Sequence, residues 1–174
     1  MMRIGKSTDF HPFKEGRRFI LGGVEIPYEK GLDGISDADA LYHSIAESIL
    51  GALALGDLGT YFKAKDSKDL DSKIIVSKCV QMMKEKGYRV INCDSMILLE
   101  EPKLSSYIPL MRENVSKLLE VPIDRISIKA TTMEHCGIIG KGEGCLSESV
   151  ILLEENNEYS RYWLWTIWII KRWQ

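Results

Sequence analysis

The sequence predicts an α/β domain of the α+β type, a single domain with a mixed sheet of four to five strands and helices on one face. Three observations carry this expectation. Strand-like runs and segments with helical apolar spacing follow one another as strand, strand, helix, helix, strand, helix, strand, strand. The chain has 174 residues, room for one good core but not comfortably for two. Its 45% hydrophobic and 28% charged residues are an ordinary globular balance. Residues 1–155 read as the domain and 156–174 as a Trp-rich C-terminal extension holding all four tryptophans.

Taken in order, residues 3–11 read as a strand running into a loop. Phe19–Val24 reads as a second short strand, in which Gly22-Gly23 permits a bulge or turn. Residues 27–34 read as loop. Ser36 suits a helix N-cap, with Asp39 three residues on. Ala40, Leu41, Ile45, Ala46, Ile49, Leu50, Leu53 and Ala54 then recur at helical spacing until Gly56. Residues 60–68 read as a polar loop. A helix follows from about Leu70 to Lys86, closed by Gly87. A strand lies within 90–100, with Met96–Leu99 as its apolar run and Pro102 after it. A third helix covers 108–119, with Pro109 tolerable in its first turn. Ile126–Thr131 alternates as a strand. Gly137, Gly140, Gly142 and Gly144 mark a loop whose backbone goes where side chains cannot, and Ser149–Leu153 is the last strand.

Composition excludes several classes. A net charge of -2 gives no basic bias, so no nucleic-acid partner is expected. Cys79, Cys93, Cys136 and Cys145 form no C-x-x-C pair, which fits free thiols in a reducing cytoplasm. The first residues lack the apolar stretch of a secretory signal. The apolar run Tyr162–Ile170 is about half the length needed to span a bilayer, and membrane contact of the tail is not expected.

Several residues can carry chemistry. In extended backbone, Asp9 and His11 point to the same side and can converge on a cation. A third ligand completes a zinc site with an open position, and His43 is the obvious donor. A surface loop and a hydrogen-bonded helix histidine account for the same residues without metal. Asp39 lies one helical turn before His43, placed to accept its second imidazole proton. Asp37 reads as helix punctuation favoured by the macrodipole. Asp57, between two glycines after the helix, suits hydroxyl recognition. Thr131, Thr132 and Glu134 lead into the glycine loop; hydroxyls and backbone N–H groups there can cradle phosphate, and Glu134 can hold Mg²⁺. A ligand-free glycine turn explains that stretch equally well. Lys103 and Lys141 offer point charges, and His135 reads as a surface residue.

An ordered set of motifs goes further. Arg3-Ile-Gly5, Asp9-x-His11-x-Phe13, Leu21-Gly-Gly-Val-x-Ile-Pro-Tyr-Glu-Lys-Gly-Leu32, Ser36-Asp-Ala-Asp39, His43, Leu50-Gly-Ala-x-Ala-Leu-Gly-Asp-Leu-Gly59, Pro102-Lys103, Ile108-Pro-x-Met-Arg112, Lys129-Ala-Thr-Thr-x-Glu134 and Gly140-Lys-Gly-Glu-Gly144 occur in this order. With them the chain resembles the 2-C-methyl-D-erythritol 2,4-cyclodiphosphate synthase family of the non-mevalonate isoprenoid pathway, over roughly residues 2–154. The resemblance implies a homotrimer with active sites between subunits. It implies a cytidine diphosphate substrate, 4-diphosphocytidyl-2-C-methyl-D-erythritol 2-phosphate, cyclised with release of CMP by a phosphorus-oxygen lyase. It places Asp9, His11 and His43 as ligands of Zn²⁺ or another divalent transition metal, and Glu134 as the holder of Mg²⁺ or Mn²⁺. Thr132 takes the place of a transition-state-stabilising threonine, and Asp57 and Gly59 of the methylerythritol contacts. Leu99, Pro102, Lys103, Ser105, Ala130 and Thr131 match the cytidine pocket of the neighbouring subunit. Ile35, Ser36, Phe62, Asp66, Ile138 and Lys141 complete the expected substrate contacts.

The chain departs from the family in places. Ile35 stands where the family has a histidine that contacts the diphosphate, and an isoleucine donates no hydrogen bond. Lys63-Ala-Lys65-Asp66 replaces Pro-Asp-Thr-Asp, and Lys6-Ser-Thr8 replaces a Gly-containing stretch. Thr8, Ile138 and Lys141 stand where the family often has two aromatics and an arginine around the trimer axis. The tryptophan tail has no family counterpart. An alternative reading is therefore a trimer that binds metal and nucleotide with weakened or lost catalysis.

Overall fold

In the computed structural model, residues 1–63 and 70–156 are described. The longest strand, β1 (Met2–Glu15), pairs antiparallel with β7 (Gly144–Glu155) from Met2 to Pro12. β7 pairs antiparallel on its other side with β5 (Tyr88–Leu98), which runs parallel to β6 (Ile126–Thr131). β4 (Lys30–Leu32) joins the free edge of β1, so the order is β4-β1-β7-β5-β6 and the sheet is mixed, as expected. β2 (Phe19–Leu21) and β3 (Val24–Ile26) form a separate hairpin. Its two-residue turn, Gly22-Gly23, has φ of 58° and 67°, the conformation that matches strand twist and that glycine adopts without strain.

Helices cover one face of the large sheet. α1 (Ala40–Ala52) packs across β1 and β7, α3 (Ser72–Glu85) packs on α1, and α4 (Ile108–Leu119) on β6 and α3. Strand alternation sets this up. Cys145, Ser147, Ser149, Ile151 and Leu153 of β7 are buried against the helices, while Ile4 on the opposite face of β1 is 69% exposed. Apolar side chains of α1, including Leu41, Ile45, Ile49 and Leu50, supply the centre of the core. The buried hydroxyls beneath α1 satisfy one another: Ser44 Oγ lies 2.9 Å from Ser147 Oγ and 2.8 Å from Ser149 Oγ, which in turn lies 2.8 Å from Ser95 Oγ.

The structure corrects several sequence expectations. Asp39, not Ser36, caps α1: its carboxylate accepts from Tyr42 N. β4 lies inside the stretch read as loop, because pairing of Leu32 with Phe13 is a long-range event with no local signature. α2 (Leu58–Tyr61), which runs into the stretch read as polar loop, and α5 (Gly137–Gly140), inside the glycine loop, are single helical turns. Asp66 and the extension beyond Asn156 lie outside the described residues. Among the described residues, no helix is long and apolar enough to cross a membrane.

Candidate metal centre and active site

β1 and α1 meet at a cluster of three ligating side chains. Residues nine and eleven of β1 share its helix-facing side, as strand alternation requires, and His43 enters from the first turn of α1. His11 Nε2 lies 3.0 Å from Asp9 Oδ2 and 3.1 Å from His43 Nδ1, and His43 Nδ1 lies 3.4 Å from Asp9 Oδ2. Among the described residues, this is the one group of three or more His, Cys, Asp or Glu with converging ligand atoms. Asp9 Oδ2 is buried and, while both imidazoles are neutral with their free lone pairs turned toward it, has no hydrogen-bond donor. A buried carboxylate oxygen without a donor is costly, and a cation between the three atoms removes the cost. Two imidazole nitrogens and one carboxylate oxygen form a donor set suited to zinc and to several other first-row divalent ions.

The electrostatics follow from the same contacts. Burial disfavours charge on Asp9, but the two imidazoles outweigh it and bring its pKa down to about 2. Burial likewise opposes charge on His11, and Asp9 outweighs that, so the pKa of His11 is raised. Without metal, and at a pH low enough to protonate His11, a proton takes the place of the cation.

The hydrogen-bond partners behind these three side chains differ from the sequence expectation. Asp39 does not orient His43. It is fully buried and accepts from Gly22 N at 2.9 Å, Gly23 N at 2.7 Å and Tyr42 N at 3.0 Å, tying the β2–β3 turn to the helix start. Burial raises its pKa. His43 Nε2 instead meets Ser72 Oγ at 2.9 Å and Ser36 Oγ at 3.1 Å, and His11 Nδ1 meets the Asp33 carbonyl at 2.8 Å. Asp37, read as mere punctuation, binds Ser72 through both its backbone N and its hydroxyl. Ser36 turns its hydroxyl inward, and its carbonyl accepts from Arg17 at 2.7 Å. Ile35 is 53% exposed on the same loop.

Past α1, Asp57 caps α2, accepting from Thr60 N and Thr60 Oγ1. Gly59 is exposed within that turn, and Phe62 is half-buried under the ammonium of Lys78.

A second cluster gathers beyond β6. Ala130, Thr131, Thr132, Glu134, Ile138 and Lys141 are all exposed there. Thr132 Oγ1 donates to Glu134 Oε1 at 2.8 Å. Glu134 and His135 have φ of 51° and 61°, a left-handed conformation that costs a non-glycine residue about 1–2 kcal/mol and so needs holding. Glu100 does the holding: it accepts from Met133 N at 3.2 Å and lies 2.8 Å from His135 Nδ1. Lys103 and Ser105 are exposed and Pro102 is half-buried in the adjoining loop, while the Leu99 side chain belongs to the core.

Register relates the two clusters. Asp9 pairs with Ser147, Ser147 with Ile97, and Ile97 with Ala130, so all four share one row across the sheet. Three strand spacings put the β1 and β6 positions about 14 Å apart. One chain thus carries two groups of polar residues at the same level of the sheet, separated by β7 and β5.

Comparison with known proteins identifies the family. A sequence profile described as the YgbB family matches residues 2–154. The chain belongs to the YgbB family. Among curated YgbB-family relatives, 2-C-methyl-D-erythritol 2,4-cyclodiphosphate synthase of Brachyspira hyodysenteriae is 51% identical over 88% of this chain and 99% of its own length. The enzyme of the same name from Chloroherpeton thalassium is 49% identical over the same shares. Among solved YgbB-family structures, IspF of Plasmodium falciparum in complex with CDP superposes with a TM-score of 0.80 at 33% identity, over 90% of this chain and 97% of that one. The bifunctional IspDF of Campylobacter jejuni gives a TM-score of 0.86 at 34% identity over 89% of this chain. This chain spans only 42% of that bifunctional protein.

Sequence reasoning missed Ser72, Asp37, Glu100 and the Asp33 carbonyl. No spacing rule links Ser72 to a histidine 29 residues earlier, and a backbone carbonyl has no residue type. Glu100 gave no signal beyond an acidic residue at a strand end.

Proposed function

We propose that this chain cyclises 4-diphosphocytidyl-2-C-methyl-D-erythritol 2-phosphate to 2-C-methyl-D-erythritol 2,4-cyclodiphosphate with release of CMP, as a metal-dependent phosphorus-oxygen lyase. The observation that carries the reading is the convergence of Asp9, His11 and His43 around an unpartnered carboxylate oxygen, in a chain whose relatives bear that enzyme's name. An oxygen of the 2-phosphate attacks the β-phosphorus, and the bond from that phosphorus to the oxygen bridging the α-phosphate breaks. CMP leaves with that oxygen. No protein nucleophile is needed, only positioning and charge neutralisation.

Asp9, His11 and His43 hold Zn²⁺ or a similar ion, and Glu134 holds Mg²⁺ or Mn²⁺. Metal bound at these residues supplies Lewis-acid stabilisation of charge on the phosphates. Thr132 offers a hydroxyl to the developing charge. Asp57 and Gly59 take the methylerythritol. Ala130, Thr131, Pro102, Lys103 and Ser105 form the cytidine pocket, with Leu99 contributing backbone. Ile35, Ser36, Phe62, Asp66, Ile138 and Lys141 line the remainder, Ser36 through its backbone.

We place the active site between neighbouring copies of a homotrimer. The separation of the two clusters by about 14 Å supports this, since one copy's β1–α1 cluster can face another copy's Thr132–Glu134 cluster. So does the bare face of the sheet, where Ile4 and Phe10 are 69% and 41% exposed beside half-buried Leu146, Val150 and Leu152. The unit that assembles is residues 1–155, and 156–174 are a Trp-rich C-terminal extension. Four free cysteines, three of them buried, suit a cytoplasmic setting.

The test uses the full chain with Zn²⁺ and Mg²⁺, following CMP release from the substrate and oligomeric state by light scattering. Turnover that chelator abolishes, in a trimer, is expected. No turnover from a zinc-loaded trimer overturns the reading.

A further inference from the structure

We propose that Ser72, held by Asp37, is a positioning residue that fixes the tautomer of His43 for metal binding. The argument is a count of hydrogens. A serine hydroxyl has one hydrogen and two acceptor lone pairs. Ser72 Oγ donates its hydrogen to Asp37 Oδ1, an acceptor. Asp37 is locked in that pose by two further donors, Ser72 N at 3.1 Å and Asp39 N at 3.3 Å. With its hydrogen spent, Ser72 Oγ can only accept from His43 Nε2, 2.9 Å away. Nε2 therefore carries the proton, and Nδ1 keeps its lone pair. That lone pair faces Asp9 Oδ2 and His11 Nε2.

His11 is fixed in the mirror sense. The Asp33 carbonyl, which has no hydrogen to give, takes the proton of Nδ1 and leaves Nε2 bare. Two imidazole lone pairs then point at one another across 3.1 Å beside an unpartnered carboxylate oxygen. Such an arrangement is repulsive until a cation enters it. Ser36 Oγ, which accepts from Ala38 N at 3.1 Å, lies 3.1 Å from the same Nε2 and offers a second acceptor there.

Ser72 is fully buried, so its hydroxyl serves no solvent contact. It opens α3, and the Leu70 carbonyl accepts from Asp37 N at 3.1 Å. The loop before α1 and the start of α3 are thereby clamped at two points. Metal readiness of His43 depends in this way on an element that supplies no ligand. Asp37 acts through Ser72, and both act through His43.

The inference rests on the metal reading of Asp9, His11 and His43, and the experiment separates the two. Zinc affinity is measured by chelator competition for the parent, Ser72→Ala and Asp37→Asn. The tautomer of His43 is read from ¹⁵N chemical shifts of the metal-free proteins at pH 8. The parent is expected to hold the Nε2–H form. Each variant is expected to mix the two tautomers and to lose about 10- to 100-fold in zinc affinity, the usual effect of removing a hydrogen-bond partner behind a metal ligand. A variant that folds with the parent's tautomer and affinity overturns the role of Ser72 alone. Asp37→Asn leaves Ser72 in place and carries the test if Ser72→Ala does not fold. A parent that binds no zinc overturns the metal reading and this proposal with it.

Discussion

Gly5 sits where β1 passes against α1, and adding one methyl group there is expected to destabilise the fold and loosen the candidate metal centre together. A Cβ at Gly5 meets the Ser48 carbonyl oxygen at 1.9 Å and Ala52 N at 2.7 Å. Carbon–oxygen contacts need roughly 3.3 Å. The helix must therefore retreat by more than about 1 Å, and both obstacles are backbone, which cannot rotate aside. Overpacking costs about 1–3 kcal/mol, and this case belongs at the top of the range. At about 2–4 °C per kcal/mol for a domain of this size, Tm should fall by roughly 6–12 °C. The retreat also moves His43, carried by α1, away from Asp9 and His11 on β1, so zinc affinity should fall as well. Gly51→Ala provides the control. Gly51 lies in the same helix, but its nearest neighbour is the Lys6 carbonyl oxygen at 3.9 Å, an ordinary contact. Replacing a helical glycine by alanine gains up to about 1 kcal/mol. Thermal unfolding with chelator competition on both variants checks the reasoning. A Gly5→Ala protein within about 1 kcal/mol of the parent, or a destabilised Gly51→Ala, refutes the close approach of strand and helix.

Two further outcomes are expected. Glu100→Ala removes the tether of the Met133–His135 turn, a bond to a charged group worth about 1.5–3 kcal/mol. CMP release should slow by about 10-fold or more with zinc affinity unchanged, because the turn lies at the other edge of the sheet; an equal loss of zinc affinity contradicts this. In the metal-free protein, the raised pKa of His11 makes its protonation stabilising, fully so below about 6.5 and lost as pH rises through the folded value. The lowered pKa of Asp9 works oppositely: its contribution is present above about 3.8 and is lost as pH falls toward about 2. Tm of metal-free protein should thus decline between pH 6 and pH 8, and zinc should abolish that decline, since metal displaces the proton. The same slope with and without zinc refutes the coupling.

Much of the candidate site is legible in the chain because its parts are local. Asp9-x-His11 needs only strand alternation to converge, and β1 supplies it. His43 needs only the helix that the apolar spacing of residues 40–54 announces. The third helix keeps its expected bounds, Ile108–Leu119, since Pro109 in the first turn and the apolar spacing both act within a few residues. Other expectations fail where a local rule meets a distant competitor. Ser36 matches a capping pattern, but Asp39 takes the cap because its carboxylate also closes the β2–β3 turn. The helical spacing of Asp39 and His43 suggests a carboxylate bonded to the imidazole, yet both carboxylate oxygens of Asp39 are already committed to backbone N–H groups.

Sequence alone therefore determines the family, the three long helices and the three side chains of the candidate metal cluster, since these rest on residue identity and on periods of two and 3.6 residues. Tertiary structure decides what those residues are able to do. It sets the parallel pairing of β5 with β6, which puts Ala130, just before the Thr132–Glu134 turn, on the row of Asp9 but two strands beyond the neighbour of β1. It brings Ser72 to His43 across 29 residues, with the hydroxyl within hydrogen-bond reach of an imidazole nitrogen. Hydrogen bonds and lone pairs act over about 3 Å in space whatever the distance along the chain, and only the folded chain brings such partners together.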